Sequence, residues 1–82
     1  KTIPAALFDK ALKASKFDYA FAGCTGLTGE SPYTMCSGNK IHLYERKKNY
    51  SLGNFNNRIT GTKCFYNCTG LSDYENIATD WK

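Results

Sequence analysis

The sequence predicts an α+β fold, in which one N-terminal helix packs on a small, mostly antiparallel sheet of three to five strands and disulfides staple the whole. Three observations lead to this prediction: an amphipathic pattern near the start of the chain, several later β-rich segments separated by turn residues, and four cysteines in only 82 residues. A chain of this length fits a single domain over residues 1–82.

The predicted helix covers residues 3–16. Leu7, Ala11 and Ala14 fall on one stripe at helical spacing, with lysines on the opposite face. Pro4 suits the first helical turn, where its missing N–H costs no hydrogen bond. This segment is therefore expected to form the helical layer.

Strand-like segments follow the helix. Phe17–Ala22 places aromatic residues at every second position, which is strand spacing. Ser37-Gly38-Asn39 is a strong turn signal between Tyr33–Cys36 and Lys40–Lys47, so these three segments predict a β-hairpin. Arg58–Tyr66 is rich in β-favouring residues and is the last predicted strand.

The tetrapeptide Cys-Thr-Gly-Leu occurs twice, at 24–27 and 68–71. This recurrence predicts two similar turns that place Cys24 and Cys68 at equivalent strand ends. No other internal repeat is evident. After the second copy the chain is acidic, and Tyr74, Ile77 and Trp81 are expected to dock on the core.

The four cysteines predict a disulfide framework, because an even count in a short chain is typical of one. Each bridge typically adds about 2–4 kcal/mol to the stability of a small domain. A zinc site is the alternative, but Cys24 and Cys36 are far apart and His42 lacks a partner at ligand spacing. We therefore expect no metal or cofactor. Three pairings are possible, and bridges between the early and late cysteines are favoured because Cys64 and Cys68 would close only a tiny loop.

Further signs predict secretion. Asn49-Tyr50-Ser51 and Asn67-Cys68-Thr69 match the N-glycosylation pattern. A chain that begins at Lys1 suits a mature form whose signal peptide has been removed. No apolar run reaches the roughly 18–20 residues that span a bilayer. We expect an extracellular protein without a transmembrane segment, and delivery into host cells is a further option.

Positive charge is concentrated between positions 40 and 63, within a chain of net charge +4. Such a surface, with tyrosines between the basic residues, suits nucleic acid, an acidic protein or an anionic lipid. A solvated face that keeps the protein soluble is the simpler explanation. The candidate partner-binding residues are Lys40, His42, Arg46, Lys47, Lys48, Arg58 and Lys63.

No catalytic set is evident. His42 and Glu45 are the only acid–base pair close in sequence, and on a strand they would point to opposite faces. The chain has no nucleophile elbow and no glycine-rich phosphate loop. The cysteines are expected to be consumed in bridges. The sequence therefore predicts a protein that is not an enzyme.

Tyr33-Thr34-Met35-Cys36, with two residues between Tyr and Cys, loosely resembles the Tyr-x-Cys style motifs of small secreted effector proteins of plant-pathogenic fungi. One subgroup has a ribonuclease-like fold, and the order of the predicted helix, the strand with Tyr44-Glu45 and the strand opening Asn57-Arg58-Ile59 is similar to it. Glu45 and Arg58 match the Glu and Arg of active fungal guanyl ribonucleases. No histidine follows Arg58, and the usual N-terminal cysteine is absent. The resemblance implies a virulence-type protein that keeps the fold without catalysis.

The leading hypothesis is a secreted, non-catalytic effector that binds a host macromolecule, through the basic surface or the Gly-rich loop Thr25–Ser31. A host protein is the expected partner, with RNA or another polyanion as the alternative. A ribonuclease-like hydrolase or toxin using Glu45, Arg58 and His42 is the second hypothesis. An antimicrobial or inhibitor peptide, acting on membranes or proteases, is the third.

Overall fold

The computed structural model describes residues 1–82. Its regular elements are a two-stranded antiparallel sheet, with β1 at Tyr33–Cys36 and β2 at Asn39–His42, and one short helix, α1, at Tyr50–Gly53. Single 3-10 turns lie at Leu43–Glu45, Tyr74–Asn76 and Thr79–Trp81. The predicted helix on a sheet of three to five strands is therefore wrong, because most of the chain folds as linked turns.

The predicted hairpin is present but shorter than expected. β1 and β2 pair in the register Tyr33↔His42 to Cys36↔Asn39. Ser37 and Gly38 connect them with φ values of 50° and 82°, and two positive φ values in a two-residue loop match the right-handed twist of the strands. β2 ends at His42 rather than Lys47, because a 3-10 turn follows it at once.

The predicted helix over residues 3–16 is also wrong. Hydrogen bonds there run from an N–H to the carbonyl three residues back, as in Leu7 to Pro4 and Asp9 to Ala6. Several carbonyls of the segment also accept hydrogen bonds from distant donors, which include the backbone N–H groups of Tyr33 and Thr60 and the guanidinium of Arg46. Three-residue turns and long-range hydrogen bonds therefore take the place of helical hydrogen bonds, and Leu7 of the predicted apolar stripe is 48% exposed.

Two segments, 17–27 and 61–71, share one backbone hydrogen-bond pattern. Their N–H donors, each bonded to the carbonyl three residues back, are Ala20, Ala22, Cys24 and Leu27 in the first and Cys64, Tyr66, Cys68 and Leu71 in the second. Every pair is 44 positions apart. Positive φ values also recur at this offset, at Tyr19 (60°) and Lys63 (51°) and at Gly23 (78°) and Asn67 (61°). The predicted pair of similar turns is present and extends well beyond Cys-Thr-Gly-Leu, but the predicted placement of Cys24 and Cys68 at strand ends is wrong, because no strand precedes either of them.

The two repeats lie side by side. The N–H groups of Phe17, Tyr19, Phe21 and Gly23 donate to the carbonyls of Thr60, Thr62, Cys64 and Tyr66 at 2.8–3.0 Å. The predicted strands Phe17–Ala22 and Arg58–Tyr66 are thus neighbours, but neither is a strand. Left-handed residues curve the backbone of each segment. In the first segment, alternate N–H groups therefore bond to the carbonyl three residues back, and the N–H groups between them bond to the second segment.

Aromatic rings form the centre of the core. The Phe65 ring stacks on Phe21 at 5.5 Å and lies 6.4 Å from Trp81. Ile77 and Trp81 are buried and Tyr74 packs against the core, which confirms the expected docking of the C-terminal segment. The backbone of that segment is also fixed, since Lys63 and Phe65 donate to Asp80 and Trp81.

All four cysteines are free thiols, so the fold is not stapled by disulfides. Cys24 is exposed and Cys36 is partly exposed, whereas Cys64 and Cys68 are buried in the core. Burial raises the pKa of Cys64 to about 12. The buried cysteines act here as small apolar core residues. The structure contains no helix with the length and hydrophobicity needed to cross a membrane.

Candidate functional site

The largest surface cleft, here called the His42 cleft, opens between the end of β2 and the C-terminal segment. It has a volume of about 930 Å³, and its residues are Lys40, His42, Tyr44, Glu45, Lys47, Lys48, Asn76, Ala78, Asp80 and Trp81. Four of the predicted partner-binding residues, the three lysines and His42, therefore meet at one site. No group of three or more His, Cys, Asp or Glu side chains in the molecule is arranged to hold a metal ion.

His42 contacts Glu45 directly, contrary to the expectation that the two side chains point to opposite faces. β2 ends at His42, and the 3-10 turn Leu43–Glu45 carries the Glu45 carboxylate back. Its Oε1 lies 2.9 Å from His42 Nδ1 and accepts the His42 backbone N–H at 2.9 Å. The expectation failed because it assumed that the strand continues to residue 47.

A second carboxylate, that of Glu30, lies beside the other ring nitrogen of His42. His42 Nε2 lies 2.7 Å from Glu30 Oε2, and Asp73 Oδ2 is 3.7 Å away. The imidazole stacks on Tyr44 with ring centres 5.4 Å apart, and its side chain is 14% exposed. The carboxylates beside the two ring nitrogens fix the position of the His42 ring. Both nitrogens are therefore engaged within the protein, and neither is left open to a substrate.

Asp73 is the buried anchor of this cluster. Its carboxylate accepts hydrogen bonds from the backbone N–H of Ser31 at 3.0 Å and from the Ser31 hydroxyl. The Tyr44 hydroxyl donates to it at 3.5 Å. Burial, and secondly the Asp73 charge, raises the pKa of Tyr44, so this phenol stays protonated. Asp73 thereby fixes the loop before β1 against the wall of the cleft.

The lysines of the cleft differ in their pairing. Lys40 Nζ lies 3.1 Å from Glu30 Oε2 and 4.4 Å from the centre of the Tyr33 ring. Hydrogen bonds from His42 and then Lys40 hold the pKa of Glu30 below its usual value. Lys47 and Lys48 are exposed and form no ion pair. These two ammonium groups are the unpaired positive charges at the rim.

Arg46 lies inside the protein rather than on the predicted basic surface. It is 1% exposed, and its guanidinium donates to the carbonyls of Phe8 and Ala11 and to the Thr34 hydroxyl, each at 3.1 Å. The Phe55 ring covers it at 4.6 Å. A partner cannot reach Arg46 in this conformation, and its role is to hold the N-terminal segment.

Arg58 and Lys63 are exposed but lie outside the His42 cleft. Lys63 Nζ is 5.3 Å from the centre of the Tyr66 ring. Because Arg58 does not join Glu45 and His42, the three residues of the ribonuclease-like hypothesis are not gathered at one site. His42, Glu45, Glu30 and Asp73 together form the His42 cluster. The sequence did not indicate Glu30 and Asp73 as members, because each lies in a loop distant from His42 in sequence and no motif includes it.

The two glycosylation triplets differ in accessibility. The Asn49 amide donates to the carbonyl of Glu45 at 2.9 Å, so the nitrogen that would carry a glycan is already engaged. Asn67 is exposed, at a left-handed turn with φ of 61°. Asn67 is therefore the more accessible of the two acceptors.

A comparison of the chain with protein-family models, curated proteins and solved structures found no match in any of the three.

Proposed function

We propose that this protein is a secreted, non-catalytic effector-type protein that binds a host protein through the His42 cleft. The observation that carries the proposal is the pair of exposed, unpaired lysines, Lys47 and Lys48, at the rim of a cleft whose wall is fixed by the His42 cluster. Because these ammonium groups form no ion pair within the chain, a carboxylate of a partner protein can bind them without breaking an internal contact. The effector setting is supported by the small size of the chain and by its Tyr-x-Cys resemblance.

Mixed charge in the cleft favours a protein partner over a nucleic acid. Glu45 and Asp80 line it beside the lysines, and their carboxylates would repel a phosphate backbone. Trp81 is buried, so its ring is not available to stack on a base. A protein surface carries charges of both signs and can match this arrangement.

A binding role rather than catalysis is supported by the state of His42. Both of its ring nitrogens are bonded to carboxylates, at 2.7 and 2.9 Å. A general base needs a free nitrogen within reach of its substrate. The separation of Arg58 from the cleft also favours a non-catalytic function, because the ribonuclease-like hypothesis requires this arginine beside the His42–Glu45 pair.

Site-specific photocrosslinking in extracts of candidate host tissue tests the proposal. A benzophenone amino acid replaces Asn76 inside the cleft or, as the control, exposed Thr69 outside it. The position-76 probe is expected to capture one defined protein. The double variant Lys47→Glu/Lys48→Glu should lose this product, whereas Lys10→Glu/Lys16→Glu, with the same charge change outside the cleft, should keep it. Equal capture by both double variants would overturn the proposal.

An RNA assay addresses the alternatives. Fluorescence anisotropy with a labelled single-stranded RNA, at 50 and 200 mM salt, is expected to show no binding that depends on Lys47 and Lys48. Incubation of RNA with the pure protein should give no cleavage above a His42→Ala control. Cleavage lost in that control would establish the hydrolase instead, and tight RNA binding lost in the double lysine variant would establish a nucleic-acid partner.

A further inference from the structure

A second cleft, here called the Asn cleft, is separate from the His42 cleft and shares no residue with it. It has a volume of about 550 Å³, and its residues are Lys13, Tyr50, Ser51, Asn54, Phe55, Asn56 and Asn57. This volume lies within the roughly 300–1,000 Å³ range of small-molecule sites. We propose that the Asn cleft binds a neutral oligosaccharide, with Tyr50 as the stacking platform and Asn54 and Asn57 as hydrogen-bonding groups.

The local chain conformation builds the cleft from α1. The left-handed residue Asn54, with φ of 56°, ends the helix, and Phe55 then donates its N–H to the Tyr50 carbonyl at 2.8 Å. Gly53 is required there, because a Cβ at that position would lie 2.2 Å from the Phe55 ring. The buried Phe55 forms the floor of the Asn cleft, and Tyr50 and the three asparagines line its sides.

Hydrogen bonds fix the orientation of two of the three amides. Lys13 Nζ donates to Asn54 Oδ1 at 2.8 Å, which leaves the Asn54 NH₂ group free to donate. Asn56 is bonded at both ends, to the Lys13 carbonyl at 3.2 Å and from the Arg58 N–H at 2.8 Å. Asn56 therefore supports the cleft, while Asn54 presents a directed donor.

Several polar groups of the cleft have no partner within the chain. The Asn57 amide and the hydroxyls of Ser51 and Tyr50 form no internal hydrogen bond. An amide offers a donor and an acceptor side by side, which suits adjacent sugar hydroxyls. The Tyr50 side chain, in a residue that is 45% exposed, offers an aromatic face to the C–H face of a pyranose ring.

The charge pattern selects a neutral ligand. Lys13 is the only charged residue of the Asn cleft, and its ammonium is already bonded to Asn54. No carboxylate is present to bind a cationic sugar, and the single ammonium, which gives one of its three N–H donors to Asn54, is outnumbered by the neutral amides and hydroxyls of the cleft. The uncharged hydroxyls of a neutral sugar are complementary to these groups.

NMR titration of the ¹⁵N-labelled full chain tests this site directly, because side-chain NH₂ signals of Asn54 and Asn57 report contact with the ligand. The probes are cellotetraose, chitotetraose and the anionic tetragalacturonate. The two neutral sugars distinguish a plain glucan from an N-acetylated one as the natural source. Shifts of the two amides with at least one neutral sugar are expected, with tetragalacturonate weaker.

Matched variants complete the test. Tyr50→Ala should weaken binding about tenfold and Asn57→Ala about fivefold, as expected for loss of one stacking ring or one amide. Tyr66→Ala removes a residue that is also 45% exposed but lies outside the cleft, and it should change affinity less than twofold. Unchanged backbone spectra confirm that each variant is folded.

The proposal is overturned by any of three results. The first is the absence of amide shifts with both neutral sugars up to about 10 mM. The second is preferential binding of tetragalacturonate. The third is an equal effect of Tyr50→Ala and Tyr66→Ala in variants with intact spectra. None of these results bears on the His42 cleft, because the photocrosslinking experiment uses different residues.

Discussion

His42 Nε2 lies 2.7 Å from Glu30 Oε2, across an interval of 12 residues. This contact joins the end of β2 to the loop that precedes β1. Glu45 holds the other side of the same ring, and Asp73 approaches from the C-terminal segment. One imidazole therefore connects three parts of the chain, and the His42 cleft depends on these contacts for its shape.

The Glu30 carboxylate should make stability depend on pH in the acid range. Its folded-state pKa lies below the ordinary value of 4.5, first because of the hydrogen bond from His42. A lowered folded pKa gives stability that is present above the unfolded pKa and is lost as pH falls through the folded value. Glu30→Gln should thus be less stable than the wild type at pH 6, and the difference measured by urea unfolding should shrink as the pH falls from 4.5 towards 3.

Glu75→Gln is the matched control for Glu30→Gln. Glu75 is exposed and forms no ion pair. The difference in stability between Glu75→Gln and the wild type should therefore stay constant between pH 3 and pH 6. A Glu30→Gln difference that is also constant from pH 3 to pH 6 would refute the assigned role of the His42–Glu30 contact.

Arg46→Ala should lower the free energy of unfolding by about 3 kcal/mol, because it removes three hydrogen bonds, to the carbonyls of Phe8 and Ala11 and to the Thr34 hydroxyl, and leaves a cavity where a side chain that is 1% exposed had packed. Arg46→Lys should not restore the loss, since an ammonium cannot reproduce the planar fork. Lys47→Ala, next in sequence but exposed, should change stability by less than about 0.5 kcal/mol. Urea unfolding measures all three, and full stability of Arg46→Lys would contradict the assigned geometry.

The hairpin and the docking of the C-terminal segment could be predicted because each rests on a local signal: a Ser-Gly turn in one case, apolar residues in an acidic segment in the other. The N-terminal helix could not be excluded. Its pattern is helical, and only the distant partners of its carbonyls, Arg46 among them, remove the helical hydrogen bonds. Tertiary contacts of this kind leave no periodic trace in the sequence.

Tertiary contacts also decide which of the predicted basic residues belong to the His42 cleft. Lys40, Lys47, Lys48 and His42 were identified from local charge, and the structure brings them to one cleft. Arg46 belongs to the same run of basic residues, but its side chain is buried. The charge of a residue does not show whether its side chain is exposed at the rim of the cleft, like Lys47, or buried in the core, like Arg46. Burial of Arg46 depends on the carbonyls that lie close to it in space.

Thiol reactivity should follow burial. Cys24 is exposed and should react first with a small alkylating reagent at pH 8, followed by Cys36. Cys64, whose pKa burial raises to about 12, should react only after unfolding, as should buried Cys68. Mass spectrometry of the labelled peptides gives the order. Four labelled thiols in denaturant without reductant are expected, and none under those conditions would show that the protein is disulfide-bonded.

The repeated turns allow two equivalent glycines to be compared. Gly26 and Gly70 occupy the same place in the two Cys-Thr-Gly-Leu copies, but a Cβ on Gly70 would lie 2.4 Å from the Leu27 carbonyl oxygen, whereas nothing lies within 4 Å of one on Gly26. Neither has a positive φ. Gly70→Ala should cost more than about 2 kcal/mol, because backbone must move. Gly26→Ala should be neutral or should stabilise by up to about 1 kcal/mol, because alanine restricts the unfolded chain.

Thermal and urea unfolding of the two alanine variants, and of the double variant, measure this difference. The close approach at Gly70 arises because the second turn packs against the first, where Leu71 also pairs with Gly29. Equal stability of the two single variants would mean that the turns do not pack as described. A loss of stability in Gly70→Ala but not in Gly26→Ala would show that the two copies, although alike in hydrogen bonding, differ in packing, because only the backbone at Gly70 lies against the other copy.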